Sequence, residues 1–520
     1  MTTIKTNIKK IDALLPRIKY FLEQDVVDFD IMGQKVHGYR SPDAPSLWIR
    51  DHSDMMRGAK YWDPDMKSGV EYFADLQHKK GWIMDYVTMF PEKLPCEREN
   101  WIKHVRVPIE ADVEYRFIKA IQIAWQVTGD DDWIRTLIPN MEKAIEYITT
   151  DEYRWDKNHK LVKRALSIDT WDFDYTAGRH DWLNFNFSPY TFWGIMHGDN
   201  SGYYEAIKTV AFLHSYFGNK DKSTYYNEMA EGIKERANKL CFNGKFYTHN
   251  VVITPRKIDG VDESEQLSLS NPMDINRGLA THEIAVAILN EYQFRAKKGN
   301  SFAEWYSIDP PYPDGIFGDE KIVGGAYCNG GIMPLVGGEL ALAAFEHGFE
   351  KYGVDILTKY SELTKNNATY LWYFPDGTSS TVENSTSPDA LPTDGWGSSA
   401  MLMALIEGLI GIKDKGKKFE DIDLSIRLHA ADVKEADINI EYGASSATCG
   451  YKYLEDDKKL QIEIKSSHKS INAHIHISKA ASKVLLNGKE YNFTNSKIEQ
   501  SNYVDFNIEN SYNSKVEIIY

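Results

Sequence analysis

Between about residue 100 and residue 410 the sequence repeats one unit: an amphipathic helix, a glycine or asparagine stop, a second helix, then a short aromatic, turn-rich segment. Residues 111–128 carry apolar side chains at helical spacing and end in Gly129-Asp130; residues 132–149 form the second helix. Residues 203–217, the stop at Gly218-Asn219 and residues 222–240 repeat the arrangement. Glycine accepts the left-handed conformation that closes a helix, and a short polar side chain satisfies the free N–H groups that open the next. Segments 282–295, 334–351, 354–365 and 397–410, with helices near Ile11 and Met55, bring the expected total to about a dozen. Paired helices of this kind fit a closed double ring or an open solenoid. The connections are long, irregular and rich in Trp, Asp and Tyr, which favours the ring, because solenoid repeats have shorter and more uniform loops.

The pattern changes after Gly411. The charged segment GIKDKGKKFEDID reads as a solvated linker, and the runs KLQIEIKSS, SINAHIHIS, KVLLNGKEYNF, YVDFNIE and KVEIIY then alternate apolar and polar residues. Asn487-Gly488 between two apolar runs is a hairpin signal. The expected organisation is an N-terminal helix and lead-in over residues 1–45, a helical catalytic domain over 46–411 and a small β-sandwich over 412–520. A length of 520 residues suits one large domain plus a small one.

Charge and composition narrow the function classes. A net charge of −16 and a pI near 5.5 oppose binding to phosphate backbones and anionic membrane surfaces, so neither nucleic acid nor membrane is an expected partner. The most apolar run, residues 332–345, is interrupted by Pro334, Gly337, Gly338 and Glu339 and is too short to span a bilayer. The opening segment MTTIKTNIKKIDALLPRIKYFLEQD has charges every few residues and no apolar stretch of the secretory kind, so a cytoplasmic location is expected. Cys96, Cys241, Cys328 and Cys449 show neither metal-ligand nor disulfide-framework spacing. Oligomeric state is not legible.

Four segments carry candidate chemistry. SLWIRDHSD, residues 46–54, sets Arg50 beside Asp51 ahead of a helix. A guanidinium donates and a carboxylate accepts, so the pair can hold neighbouring sugar hydroxyls; a capping aspartate beside a locally paired arginine is the plainer alternative. SIDTWDFD, residues 167–174, packs three aspartates around Trp171. A carboxyl against a large aromatic is partly desolvated, which raises its pKa and keeps the proton a general acid needs; an Asx-rich turn is the alternative. Asp172 is the preferred acid, with Asp169 and Asp174 as competitors. Residues 377–400, GTSSTVENSTSPDALPTDGWGSSA, hold one glutamate, Glu383, in a polar loop that runs into a helix led by Trp396. Asp172 and Glu383 together are the two carboxyls in different environments that glycosidic-bond hydrolysis requires. VGGAYCNGG, residues 323–331, opens a buried helix and offers Tyr327 and Asn329 to a ligand.

The chain holds 13 Trp and 31 Tyr. Sugar C–H faces stack on such rings, and Trp48, Trp171, Tyr327 and Trp396 are the candidate apolar walls, although large helical cores also use aromatics heavily. Metal motifs fail: His282-Glu283 meets Val286 where a zinc motif has its second histidine, and His474 and His476 alternate along one strand face, where two ligands make no site. No metal or organic cofactor is called for.

Taken in order, these segments resemble the glucoamylase-type glycoside hydrolases with an (α/α)6 barrel, a group that includes neutral trehalase and the processing α-glucosidases. LWIRD at residues 47–51 is similar to the early element whose Arg and Asp hold the sugar in the −1 subsite. DTWDF at 169–173 is similar to the element in which the acid after Trp is the general acid, which falls on Asp172. AYCNGGIMP resembles the segment opening a late barrel helix, and STVEN followed by DGWGSSAMLMAL resembles the element carrying the general base, which falls on Glu383. Asn384 stands where that group has Gln, and the β-rich segment follows the helices, as in rhamnosidase-like relatives. LWYFPDG resembles a rhamnosidase segment in which Glu follows Trp; here Tyr373 follows Trp372, which leaves Glu383 as the base. The resemblance implies a mainly α chain, an (α/α)6 barrel with a small C-terminal antiparallel β-sandwich, acting as an exo-acting, inverting glycoside hydrolase on an oligosaccharide or glycoside. The alternatives are a glycoside phosphorylase on the same barrel and a non-catalytic carbohydrate-binding helical scaffold. Glu383, with no clear basic cluster near it, disfavours the first, and the non-uniform loops disfavour the second.

Overall fold

Two kinds of helix alternate along the first four-fifths of the chain, and the alternation organises the molecule. The computed structural model describes residues 1–90, 101–168, 187–317, 320–466, 469–509 and 513–520. Among these the α-helices, in chain order, are α1 (Lys9–Asp12), α2 (Leu14–Gln24), α3 (Ile49–Ala59), α4 (Ser68–Asp75), α5 (Val113–Thr128), α6 (Asp131–Thr150), α7 (His197–Tyr216), α8 (Lys220–Cys241), α9 (Ser270–Asn276), α10 (His282–Lys298), α11 (Pro334–Glu346), α12 (Glu350–Leu363) and α13 (Gly395–Met403). A π-helical stretch, Ala404–Ile410, continues α13. No helix among the described residues is long and apolar enough to cross a membrane.

Helices α3 and α13 are buried along their whole length, and α11 is buried from Pro334 to Phe345. Helix α6 instead buries one stripe, Ile134, Leu137, Met141, Ala144, Ile145 and Ile148, at the spacing of a single helical face. Helix α8 does the same with Ser223, Tyr226, Ala230, Ile233, Ala237 and Cys241. Helices buried all round, α3 among them with its Arg50, Asp54 and Arg57 paired, form an inner layer, and one-striped helices cover it, so the pairing read from the sequence becomes an inner and an outer layer. The inner neighbours form a cycle: α3 packs on α5, α5 on α7, α7 on α9, α9 on α11, α11 on α13, and α13 returns to α3. The expected stops hold where tested. Gly129 closes α5 at φ 68°, and Asp130 opens α6 by accepting the Trp133 N–H. The single helix expected over 334–351 is two, because Gly348 at φ 85° breaks it between α11 and α12.

At the α11–α13 contact the two backbones approach closely. A Cβ at Gly338 would lie 2.4 Å from the Ala400 carbonyl carbon and 2.5 Å from the Met401 nitrogen, both backbone atoms that cannot swing aside. Gly338→Ala is expected to cost about 3 kcal/mol, the upper end for overpacking, read as a lower denaturant midpoint. An unchanged midpoint would mean that the helices do not approach this closely.

The C-terminal region forms two sheets. Seven strands run in the order Thr3–Lys5, Glu435–Glu441, Thr448–Glu455, Lys459–Ser466, Asn513–Ile519, Lys483–Leu486 and Lys489–Glu490. Five more run Ile412–Asp414, Asp421–Leu424, Ser470–Ile477, Ser501–Glu509 and Thr494–Ile498, with one parallel pair, Asp421–Leu424 beside Ser470–Ile477. Burial alternates along the long strands: Ile471, Ala473, Ile475 and Ile477 point inward, while His474 and His476 share the opposite face. Asn487 and Gly488, at φ 52° and 79°, form the two-residue turn that pairs Leu486 with Lys489.

Three expectations are corrected. Among the described residues helix accounts for 39% and strand for 24%, so the architecture is mixed rather than mainly helical. The segment taken for a solvated linker is a hairpin, Ile412–Asp414 against Asp421–Leu424, anchored by buried Ile412, Phe419, Ile422 and Leu424. Its lysines mask that anchor in the sequence. Residues 1–45 are more than a lead-in, since Thr3–Lys5 is an edge strand of the C-terminal sheet and Val26–Ile31 pairs with Gln34–Tyr39. The sheets dock on the helices through Arg427, which donates to the Gly408 carbonyl at 2.8 Å, and through the Tyr451 hydroxyl, which donates to Ile410 at 2.7 Å.

Candidate active site

Trp48, Arg50 and Asp51 meet where a short strand turns into α3. Leu47–Trp48 pairs with Tyr86 and Val87, and the Trp48 ring lies 4.1 Å from that of Tyr86. The extended backbone at Trp48 then enters the helix, so the next residues project from its first turn. Arg50 is buried, and its fork is engaged: Nε and Nη2 each donate to Asp112 at 2.8 Å, and Nη2 also donates to Glu110 at 2.5 Å. Burial works against the Asp112 charge, yet Arg50 beside it holds the carboxyl well below the usual range. Asp51 has no such clamp. Burial pushes it up to about 6, opposed by Arg50 and reinforced by Asp54.

Trp396 reaches the same region from the far end of the chain. Its indole N–H donates at 2.6 Å to Asp54, one helical turn beyond Arg50, and Asp54 accepts from Arg116 at 2.7 Å on both oxygens. Burial would raise Asp54, but Arg116, Arg57 and Trp396 hold it below its ordinary value. The α3–α13 contact therefore fixes the Trp396 ring against the helix that carries Arg50 and Asp51.

Three aspartates that sequence reading did not single out complete an acidic wall. Asp43 lies in the turn before α3, and burial together with Asp51 pushes it up to about 7. Asp394 caps α13 by accepting the Gly397 N–H at 3.1 Å; burial, Asp43 and Asp51 push it up to about 8 against the opposing amides. Asp25 accepts from Thr393 at 3.1 Å and from the Gly395 N–H at 2.9 Å, and burial with Asp394 nearby raises it well above the ordinary range. Asp43, Asp51 and Asp394, raised to about 7, 6 and 8, give this wall carboxyls that share protons and charge around neutral pH. Asp394 carried a legible signal, an aspartate directly before a glycine-led helix; Asp43 looked like any turn aspartate.

Glu383 is fully exposed in the loop after the buried Ser380, and its own backbone N–H and the Thr381 hydroxyl hold it below the usual glutamate value. Lys321 ties this loop down by donating to the Val382 and Ser385 carbonyls at 3.3 and 2.9 Å. Beyond it the chain crosses the Asp43 turn: the Asp389 N–H donates to the Asp43 carbonyl and the Leu391 N–H to that of Pro42. The Glu383 loop and the Asp43–Asp51 wall are thus joined. Tyr327 is half-buried at φ 45°, its ring 6.1 Å from that of Trp372. Asn329 differs from expectation. Its amide accepts the Tyr312 N–H at 2.7 Å and donates to the Tyr312 carbonyl at 3.0 Å, so it fastens its own loop. Asp172, Trp171, Asp169 and Asp174 lie outside the described residues. The segment leading to them is buried at Ser167, whose carbonyl accepts from His249 at 2.9 Å.

The fold is one that glycoside hydrolases use. An α-L-rhamnosidase from Dictyoglumus thermophilum superposes with a TM-score of 0.58 at 10% identity, covering 99% of this chain and 50% of that one. A GH78 family rhamnosidase of a Bacillus species gives 0.59 at 13% identity, over 91% of this chain and 42% of that one. The GH63 mannosylglycerate hydrolase from Thermus thermophilus gives 0.52 at 12% identity, over 75% of this chain and 99% of that one. The chain spans about half the length of the rhamnosidases it matches or less, and at these identities the likeness is one of fold. No protein-family model matches the sequence, and no curated protein matches it.

Proposed function

We propose that the protein is an exo-acting, inverting glycoside hydrolase built on an (α/α)6 barrel. The closed cycle of inner helices supports the barrel, and the fold shared with rhamnosidases and a mannosylglycerate hydrolase supports glycosidic chemistry. The observation that carries the reading is the meeting of Trp48, Asp51 and Trp396 with buried carboxyls at the ends of α3 and α13. Such an end of a helical barrel gives apolar faces for a sugar ring and acceptors for its hydroxyls.

In the proposed reaction Asp172 gives its proton to the glycosidic oxygen as the bond to the anomeric carbon breaks. Glu383 takes a proton from a water that attacks that carbon from the opposite face. Its exposed, ionised carboxylate suits a base that must hold water, and the two carboxyls are expected about 6.5–9.5 Å apart. Asp51, Asp43, Trp48, Trp396 and Tyr327 would bound the terminal sugar, with Trp171 on the acid side. Arg50, already committed to Asp112 and Glu110, orients the start of α3.

Proton NMR of the protein with a panel of α- and β-linked glycosides, with and without phosphate, tests this directly. Release of the inverted free sugar without phosphate is expected. A sugar phosphate formed only when phosphate is added would replace hydrolysis by phosphorolysis, and retained configuration would overturn the inverting mechanism.

A further inference from the structure

Tyr327 stands in a conformation that glycine usually fills. The Asn329 N–H donates to the Ala326 carbonyl at 2.8 Å and closes a tight turn, and Tyr327, the second residue of that turn, has φ 45°. A bulky side chain is an outlier there, and it persists only where the surroundings over-determine the backbone. Phe419 is the other aromatic residue with a positive φ among the described residues, at 56°. Its ring is buried and stacked 4.1 Å from that of Tyr442, so core packing accounts for it. Tyr327 is only half-buried, its ring 6.1 Å from that of Trp372, and packing accounts for less.

One buried hydroxyl fixes the turn instead. Ser307 Oγ donates to the Tyr327 carbonyl at 2.9 Å and to the Cys328 carbonyl at 2.8 Å, and it accepts the Gly330 N–H at 2.9 Å. The Ser307 backbone is itself tied on both sides: its N–H donates to the Gly331 carbonyl at 2.8 Å, and its carbonyl accepts the Leu269 N–H, just before α9, at 2.9 Å. The chain doubles back so closely that a Cβ at Gly331 would lie 2.4 Å from the Tyr327 carbonyl oxygen. The turn is also one strand away from the Glu383 loop. Ile332 and Tyr373 exchange backbone hydrogen bonds at 2.8 and 2.9 Å, and the Ser380 N–H donates to the Trp372 carbonyl at 3.2 Å. The Tyr327 ring therefore lies against the strand from which the Glu383 loop departs.

We infer that Ser307 is a positioning residue for sugar binding, holding Tyr327 in the left-handed conformation that presents its ring to the terminal sugar. The inference rests on the proposed reading of Tyr327 as part of the sugar site. Ser307 touches no substrate and moves no proton; it acts through Tyr327 alone. Alanine at this position would leave two carbonyls and one amide unserved and free the turn to relax.

Crystal structures and kinetics of Ser307→Ala, Tyr327→Ala and the double variant, on 4-nitrophenyl glycosides that the wild type cleaves, test this. In Ser307→Ala, Tyr327 should relax to a negative φ and KM should rise about tenfold, the worth of one or two hydrogen bonds, with kcat within about twofold of wild type. Tyr327→Ala should raise KM by a similar factor, and adding Ser307→Ala to it should raise KM no further, because the two act as one unit. A merely structural role would make the two effects multiply. That result would overturn the inference, as would a Tyr327 that stays left-handed in Ser307→Ala or an unchanged KM there. If Ser307→Ala does not fold, Ser307→Cys fills the same space with a weak donor and should raise KM in the same direction; a wild-type KM in that variant would overturn the inference as well. A wild type that cleaves none of the glycosides would sink the hydrolase reading on its own. Saturation-transfer NMR with the corresponding free sugars then replaces KM: weaker binding by the Ser307 variant upholds the positioning role, and unchanged binding overturns it.

Discussion

Glu383→Gln and Asp172→Asn are each expected to lower turnover about 10²–10⁴-fold, the usual worth of a positioned acid or base. The Glu383 change is the cleaner of the two. Its carboxylate is fully exposed and is held by its own backbone N–H and a hydroxyl two residues away, so an amide of the same shape leaves the fold untouched. The unfolding midpoint should match the wild type while the rate collapses. Glutamine cannot take a proton from water, so nothing in the variant replaces the lost function. Asp172→Asn should remove the alkaline limb of the pH–rate profile, where the acid loses its proton, for leaving groups that need protonation, and spare activated aryl glycosides that do not. If Glu383→Gln keeps near-wild-type turnover, the base is elsewhere, and Asp43 and Asp51, buried with pKa values of about 7 and 6, become the carboxyls to test.

Local grammar made most of the helical layer legible. Gly129 and Asp130 mark a boundary because left-handed closure and side-chain capping are decided within a few residues. The stripe on α6 and the all-round burial of α13 likewise follow from composition within one helix. What failed to show needed a partner far along the chain. Trp396 was read as a sugar wall without its anchor, because Asp54 lies 342 positions away. Asn329 was read as ligand-facing when the Tyr312 backbone, 17 positions back, takes its amide. The hairpin at 412–424 hid behind its lysines, and the edge strand at Thr3–Lys5 is set by a sheet that begins more than 400 residues later. The acidic wall of Asp25, Asp43, Asp51 and Asp394 combines both problems, since each member passes locally for a cap or a turn residue and only burial in the folded core, with their neighbours' charges added, raises their pKa values.

Arg50→Met is expected to destabilise the protein by about 3–5 kcal/mol, the cost of leaving a buried charge without its partner. Arg50 is the bridge between α3 and the segment that opens α5: Asp112 and Glu110 both take their hydrogen bonds from it, and neither carboxyl is accessible to water. Asp112 keeps a weaker contact, the Arg116 Nε at 3.6 Å, so Glu110 bears most of the loss, facing a neighbouring Asp85 that its presence already pushes upward. Methionine fills much of the side-chain volume, which separates lost charge from lost packing. Arg50→Lys should fall between the two, because an ammonium restores the charge but cannot reach Asp112 with two parallel bonds and Glu110 with a third. Denaturant unfolding of the three proteins, with turnover measured on each, distinguishes the two roles open to this arginine. A large stability loss that Lys partly restores fits a residue that orients the mouth of the site. A wild-type unfolding midpoint with turnover abolished would instead make Arg50 a direct ligand of the sugar, and its bonds to Asp112 and Glu110 would be secondary.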